Sequence, residues 1–120
     1  MTRSLVVKVT AGADEPERCN QGFTVAAAGV AAGARVSLWL TGEAVWFAVP
    51  GRAEKFSLPL ATPLADLLTV VREAGQVTVC TQCAARRDLT EADLLPGVRI
   101  AGAAGFVEES LADGAQALVY

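Results

Sequence analysis

The chain has 120 residues, is 52% apolar and carries a formal net charge of −3, with 10 basic against 13 acidic side chains. A chain of this size and apolar content suits one domain over residues 1–120 with a real core, and it excludes disorder. The mildly negative balance, with no basic run, argues against nucleic acid as a partner.

Ser4 to Thr10 is a compact apolar run interrupted only by Lys8 and reads as the first strand. Ala11-Gly12-Ala13 turns out of it, and Asp14 reads as the N-cap of a helix with Pro16 in its first turn and Glu17 three residues on. That helix is expected to run to about Ala32 with Gly33 as its C′ residue. Its apolar stripe is Cys19, Phe23, Ala26, Ala27, Val30 and Ala31, and the many alanines predict a close helix–sheet approach. Ala34 to Leu40 is a second strand, followed by a short helix over Ala44 to Val49 that presents Trp46 and Phe47 to a subunit interface, to a crevice or to the core. Arg52 to Ala61 is irregular. Thr62-Pro63 caps a third helix, with Pro63 at its first position and Leu64, Leu67, Leu68 and Val71 inward. A third strand ends at Cys80, with Thr81 capping the short helix that carries Cys83. Thr90 to Asp93 starts another turn, Val98 to Ala101 is a fourth strand, Gly102 to Gly105 leads into a helix to about Asp113, and Gln116 to Tyr120 closes the chain. Strands alternating with helices predict an α/β fold, a three-layer α/β/α arrangement around a five-stranded, mainly parallel sheet.

The longest uncharged stretch, Cys19 to Ala34, is Ala/Gly-rich and falls short of a membrane span, so no membrane association is expected. No histidine occurs, which removes Ser-His and Cys-His catalysis and every His-ligated metal site. Three cysteines cannot pair off completely, and two form Cys-x-x-Cys. With no signal peptide at the start of the sequence, a reducing cytoplasm is the expected compartment.

The chemistry concentrates at Cys80. In open α/β sheets ligands sit at the carboxyl ends of strands, before the next helix. A thiol there faces the free amides of that helix, whose dipole alone can lower a thiol pKa by up to roughly one and a half units. Cys80 is thus expected to be a reactive thiolate. Cys83, about 5–6 Å away at Cβ on the same helix face, is within reach as a resolving thiol. Cys19 either packs in the core or completes a three-thiol cluster able to hold Zn²⁺ with Glu17, Glu43 or water. Arg86 and Arg87 lie about 9 Å along the helix, too far to activate Cys80 in the same subunit. One of them is expected to pair with Asp88 or Glu91, or to reach a neighbouring subunit. Gly102 to Gly105 opens a helix that could bind an anion, but no Walker lysine or full dinucleotide fingerprint is present.

Val79-Cys80-Thr-Gln-Cys-Ala-Ala-Arg86-Arg87, followed by an acidic turn and a strand–Gly–helix–strand ending, resembles the DsrE/DsrF family of sulfur-carrier proteins, which has TusD-like members in a tRNA-thiolation relay. The resemblance is clearest over Gln76 to Tyr120 and extends over Leu5 to Gly42. It implies a three-layer domain assembled as trimers or hexamers. It also implies a sulfurtransferase-type relay in which Cys80 carries sulfur as a persulfide between donor and acceptor proteins. No cofactor is needed for such a relay. Cys83 and Cys19 have no counterpart in the relay pattern, so two other readings stay open: a thiol–disulfide oxidoreductase using Cys80 and Cys83, and a metal-binding module using Cys19, Cys80 and Cys83.

Overall fold

The computed structural model describes residues 3–120. Five parallel strands form one sheet in the order β4-β3-β2-β1-β5: β1 (Ser4–Val9), β2 (Arg35–Leu40), β3 (Gln76–Cys80), β4 (Arg99–Ala101) and β5 (Ala115–Val119). The helices are α1 (Pro16–Ala31), α2 (Leu64–Ala74), α3 (Thr81–Arg86) and α4 (Ala103–Ser110). From β1 to β4 the chain steps one strand at a time in one direction, and α4 then carries it back to the far edge beside β1. Right-handed crossovers that reverse direction must change face. Hence α1 and α2 pack together on one face while α4 lies alone across the other, giving the three expected layers.

The α1/α2 face holds the main core. Leu64, Leu67, Leu68 and Val71 of α2 are buried as their spacing predicts, against Val7, Val9, Val36, Leu38, Leu40, Val77 and Val79 of the strands. The close approach of α1 comes from glycines as well as from the expected alanines, of which Ala26 is fully buried in the core. A Cβ on Gly22 would stand 2.4 Å from Val9 Cγ2, and one on Gly29 2.7 Å from Leu5 Cδ2, whereas Ala31 is exposed. The carboxyl end of α1 closes as predicted at Gly33 (φ +88°). Gly33 N–H donates to Val30 C=O and Ala34 N–H to Gly29 C=O, the paired bonds of a Schellman motif.

The starts of the helices depart from expectation. Glu15, not Asp14, is the N-cap of α1 and makes no side-chain cap, because the Asp14 carboxylate accepts from Gly12 N–H at 2.8 Å and is used up in the preceding turn. Pro63 sits one position earlier, at the N-cap of α2. The segment expected as a helix over Ala44 to Val49 is a 3-10 turn, Gly42–Ala48, and α4 stops at Ser110. The acidic turn forms a 3-10 segment, Glu91–Asp93, with a full capping box between Thr90 and Asp93.

On the opposite face, Trp39 of β2 is 1% exposed beneath α4, edge-on to Phe106 at 5.6 Å. Its indole N–H donates to Glu109 at 3.2 Å, and Glu109 pairs with Arg99. The Arg99 guanidinium also donates to the hydroxyl of Thr78, which is fully buried and is satisfied by that bond. One eight-residue helix cannot cover a five-stranded sheet, and Val107, Leu111 and Val119 remain exposed there.

Candidate functional site

Cys80 ends β3 and is itself the N-cap of α3, in extended conformation (φ −64°, ψ 130°). Thr81, expected as the cap, is instead the first helical residue and is exposed, so the thiol rather than the hydroxyl faces the free amides of the helix start. Cys80 is half-buried. Cys83 is 8% exposed, and Cys19 is fully buried in the core.

Burial alone raises the Cys80 pKa. The amide and side chain of Cys83, the amide of Gln82 and the charge of Lys8 together outweigh it, and the thiol is lowered below 9.0. No hydrogen bond of strict geometry caps the helix through this sulfur, so these groups act by proximity and charge. Cys19 goes the other way. Burial, with the Asp14 carboxylate adding to it, pushes its thiol up to about 12. Such a thiol is neutral and inert at physiological pH.

Lys8 is the contributor that sequence reasoning missed. The strand register aligns Lys8 with Trp39 and Trp39 with Thr78, and Cys80 lies two residues beyond Thr78 on the same face. The ammonium sits over the Phe106 ring at 4.1 Å, on the side of the sheet toward which Cys80 is directed. Its one trace in the sequence is that it breaks an otherwise apolar strand.

The loops that follow the strands hold α3 in place. Gly42, at the end of β2, has φ +55°, and its N–H donates to the Cys83 sulfur at 3.2 Å. The Arg87 guanidinium donates to Glu43 at 2.8 and 3.0 Å and to the Cys83 carbonyl at 3.0 Å. The sequence predicts that one of the two arginines pairs with Asp88 or Glu91 or reaches a neighbouring subunit. Arg87 instead pairs with Glu43, because the 3-10 turn after β2 packs against α3, while Asp88 is drawn into a left-handed turn at φ +55°. Arg86 is exposed beside it. Trp46 is half-buried under the Arg52 guanidinium at 4.3 Å, and Phe47 is a core residue between Phe23 and Phe56.

Cys80 and Cys83 are brought together and Cys19 is set apart. Among the described residues no three Cys, Asp or Glu side chains group so as to hold a metal ion, so the cluster with Glu17 or Glu43 does not form. A cavity of about 560 Å³ lined by Ser4, Arg35, Gln76, Arg99 and Glu109 opens at the amino ends of the strands, the opposite end from Cys80.

The sequence matches the DsrE/DsrF-like family profile over residues 3–119. The chain belongs to this family. No curated protein matches it. Among solved structures, this DsrE/DsrF-like chain is similar to the ychN protein from E. coli, with a TM-score of 0.77 and 18% identity over 100% of both chains. It is also similar to MTH1491 from Methanobacterium thermoautotrophicum, a protein of unknown function, with a TM-score of 0.67 and 10% identity over 98% of this chain and 99% of that one. Those identities carry the fold alone. Among the described residues no helix is long and apolar enough to cross a membrane.

Proposed function

We propose that the chain is a cytoplasmic sulfur carrier, or sulfurtransferase, that holds sulfane sulfur as a persulfide on Cys80 and passes it to a protein partner. DsrE-like proteins commonly act in sulfur relays. The observation that carries the reading is that Cys80 joins partial exposure to a lowered pKa, while Cys19 is fully buried with its pKa raised.

The chemistry needs no cofactor. The Cys80 thiolate attacks the outer sulfur of a donor persulfide, forming a new S–S bond as the donor leaves as a thiolate. An acceptor thiolate then attacks that outer sulfur, and Cys80 departs as a thiolate in turn. A low thiol pKa helps the second step as much as the first, since the better leaving group leaves faster. Lys8 supports the anion in both. Thr81 and Arg86, exposed at the two ends of α3, are accessory positions where donor and acceptor proteins would meet the carrier. The exposed Val107, Leu111 and Val119 favour self-association through the α4 face, and the family resemblance implies a trimer or hexamer.

The test is intact-mass measurement after exposure to a persulfide donor. Read immediately after loading, the wild-type chain, kept without reductant, is expected to have gained one sulfur atom that Cys80→Ser does not gain. Equal sulfur uptake by Cys80→Ser would refute the reading.

The closeness of the Cys83 side chain to Cys80 favours a second reading, a thiol–disulfide oxidoreductase. It requires turnover of a disulfide substrate with no sulfur donor present. Cys83→Ser retaining full activity would rule it out.

A further inference from the structure

Cys83 is not needed to receive or deliver sulfur, yet the fold invests in it. It lies at the third position of α3, one turn from the N-cap Cys80, with its side chain near the Cys80 sulfur. Residues so spaced stand about 5–6 Å apart at Cβ, and a disulfide needs about 3.8 Å, a gap that a small shift of the extended N-cap residue closes. Its sulfur accepts from Gly42 N–H at 3.2 Å, which fixes the position of the sulfur at the start of the helix. Its carbonyl is held by Arg87, which is anchored in turn on Glu43. At 8% exposure it is closed to protein thiols from outside, so its accessible reaction partner is the neighbouring sulfur.

We propose that Cys83 is an internal resolving thiol that discharges the Cys80 persulfide as hydrosulfide, giving the carrier a second activity, the reduction of sulfane sulfur at the expense of a dithiol. The inference rests on the carrier reading of Cys80. In the step itself the Cys83 sulfur, having given its proton to solvent, attacks Cys80 Sγ. The Cys80–Cys83 bond forms, the bond from Cys80 Sγ to the outer sulfur breaks, and the outer sulfur leaves as HS⁻. The sulfane sulfur gains two electrons and the two cysteines lose them. An external dithiol then reduces the disulfide, becoming a disulfide itself, and both cysteines return as thiols.

The outcome at each turnover is a competition. An acceptor thiolate at the exposed outer sulfur takes it before Cys83 acts. With no acceptor engaged, the intramolecular attack has the advantage of proximity and leaves a disulfide that cannot be loaded again until it is reduced. The pair thus limits how long an undelivered persulfide survives.

The test loads wild-type protein and Cys83→Ser with inorganic polysulfide, removes the excess, and follows intact mass and released hydrosulfide without reductant. Cys83→Ala is run in parallel, and circular dichroism confirms that both variants are folded. Both variants are expected to keep the added sulfur at least about ten-fold longer than wild type. Wild type is expected to release one hydrosulfide per chain while losing two hydrogens as a disulfide that peptide mapping assigns to Cys80 and Cys83. Adding a dithiol should restore loading and make hydrosulfide release catalytic. If the variants load but wild type holds its persulfide as long as they do, or the disulfide maps to Cys19, the inference fails and the carrier reading stands. If neither wild type nor variants load at Cys80, the carrier reading fails and the inference falls with it.

Discussion

Gly42 and Cys83, 41 residues apart in sequence, are joined by a single hydrogen bond from backbone amide to sulfur at 3.2 Å. Only a residue at ease with φ +55° can aim its N–H this way at the end of β2, and a Cβ there would stand 2.7 Å from the Thr10 carbonyl oxygen. Gly42→Ala is therefore expected to cost about 1–3 kcal/mol of stability and to make Cys83 react faster with a small alkylating reagent. Denaturant unfolding and mass-resolved labelling check both. Unchanged stability together with unchanged Cys83 labelling would show that the turn does not hold that sulfur.

Lys8 is expected to tune Cys80 through charge. Lys8→Met should raise the thiol pKa, moving the midpoint of Cys80 alkylation against pH toward the ordinary 9.0, while Lys8→Arg keeps it low. At neutral pH and low ionic strength Lys8→Met should slow alkylation by roughly two-fold or more, and added salt should narrow the difference. A salt-independent loss shared by Lys8→Arg would point to packing on Phe106 instead.

The two close glycines of α1 should not respond alike to added methyl groups. At Gly22 the methyl meets Val9 Cγ2 at 2.4 Å, a stiff β-branched side chain in the middle of the core, whereas at Gly29 its hardest contact, at 2.7 Å, is the flexible end of Leu5, with Val36 Cγ2 milder at 3.1 Å. Gly22→Ala is expected to destabilise by about 1–3 kcal/mol, and Gly29→Ala by clearly less, since Leu5 can change rotamer. Denaturation midpoints measure the order directly, and the reverse ranking would place α1 differently on the sheet.

Cys19 predicts an alkaline signature. Folded, its thiol keeps its proton to about pH 12, while the unfolded chain gives it up from about 9.0. The folded state therefore binds more protons between those limits, and stability falls there as pH rises, by about 1.4 kcal/mol per pH unit from this group. Its contribution is fully present below pH 9. Cys19→Ala should be less stable at neutral pH through the lost packing, but should show a shallower decline between pH 9 and 12. Parallel declines would mean that Cys19 ionises in the folded protein.

Much of this architecture was legible in one dimension because its signals are local. The 3.6-residue spacing of Leu64, Leu67, Leu68 and Val71, the glycine stop at Gly33 and the β-branched run into Cys80 each depend on a few neighbouring residues, and each appears where the periodicity places it. Helix starts were less legible, since a short polar side chain such as Asp14 can satisfy either the helix or the turn before it, and the turn won. Alternation of strands and helices implied a parallel sheet but left the strand order open. The far-edge position of β5 follows from the direction of the last crossover, which also sends α4 to the other face. The surroundings of the thiols were decided entirely at that level. Lys8 comes near Cys80 because strand register aligns residues from separate segments, Arg87 finds Glu43 because a 3-10 turn packs against α3, and Gly42 reaches Cys83 by a backbone angle. The sequence by itself determined which sulfur stands at the end of a strand. Only the tertiary structure decided which groups charge it, hold its neighbour and keep the third cysteine out, because contacts between distant segments have no period to read.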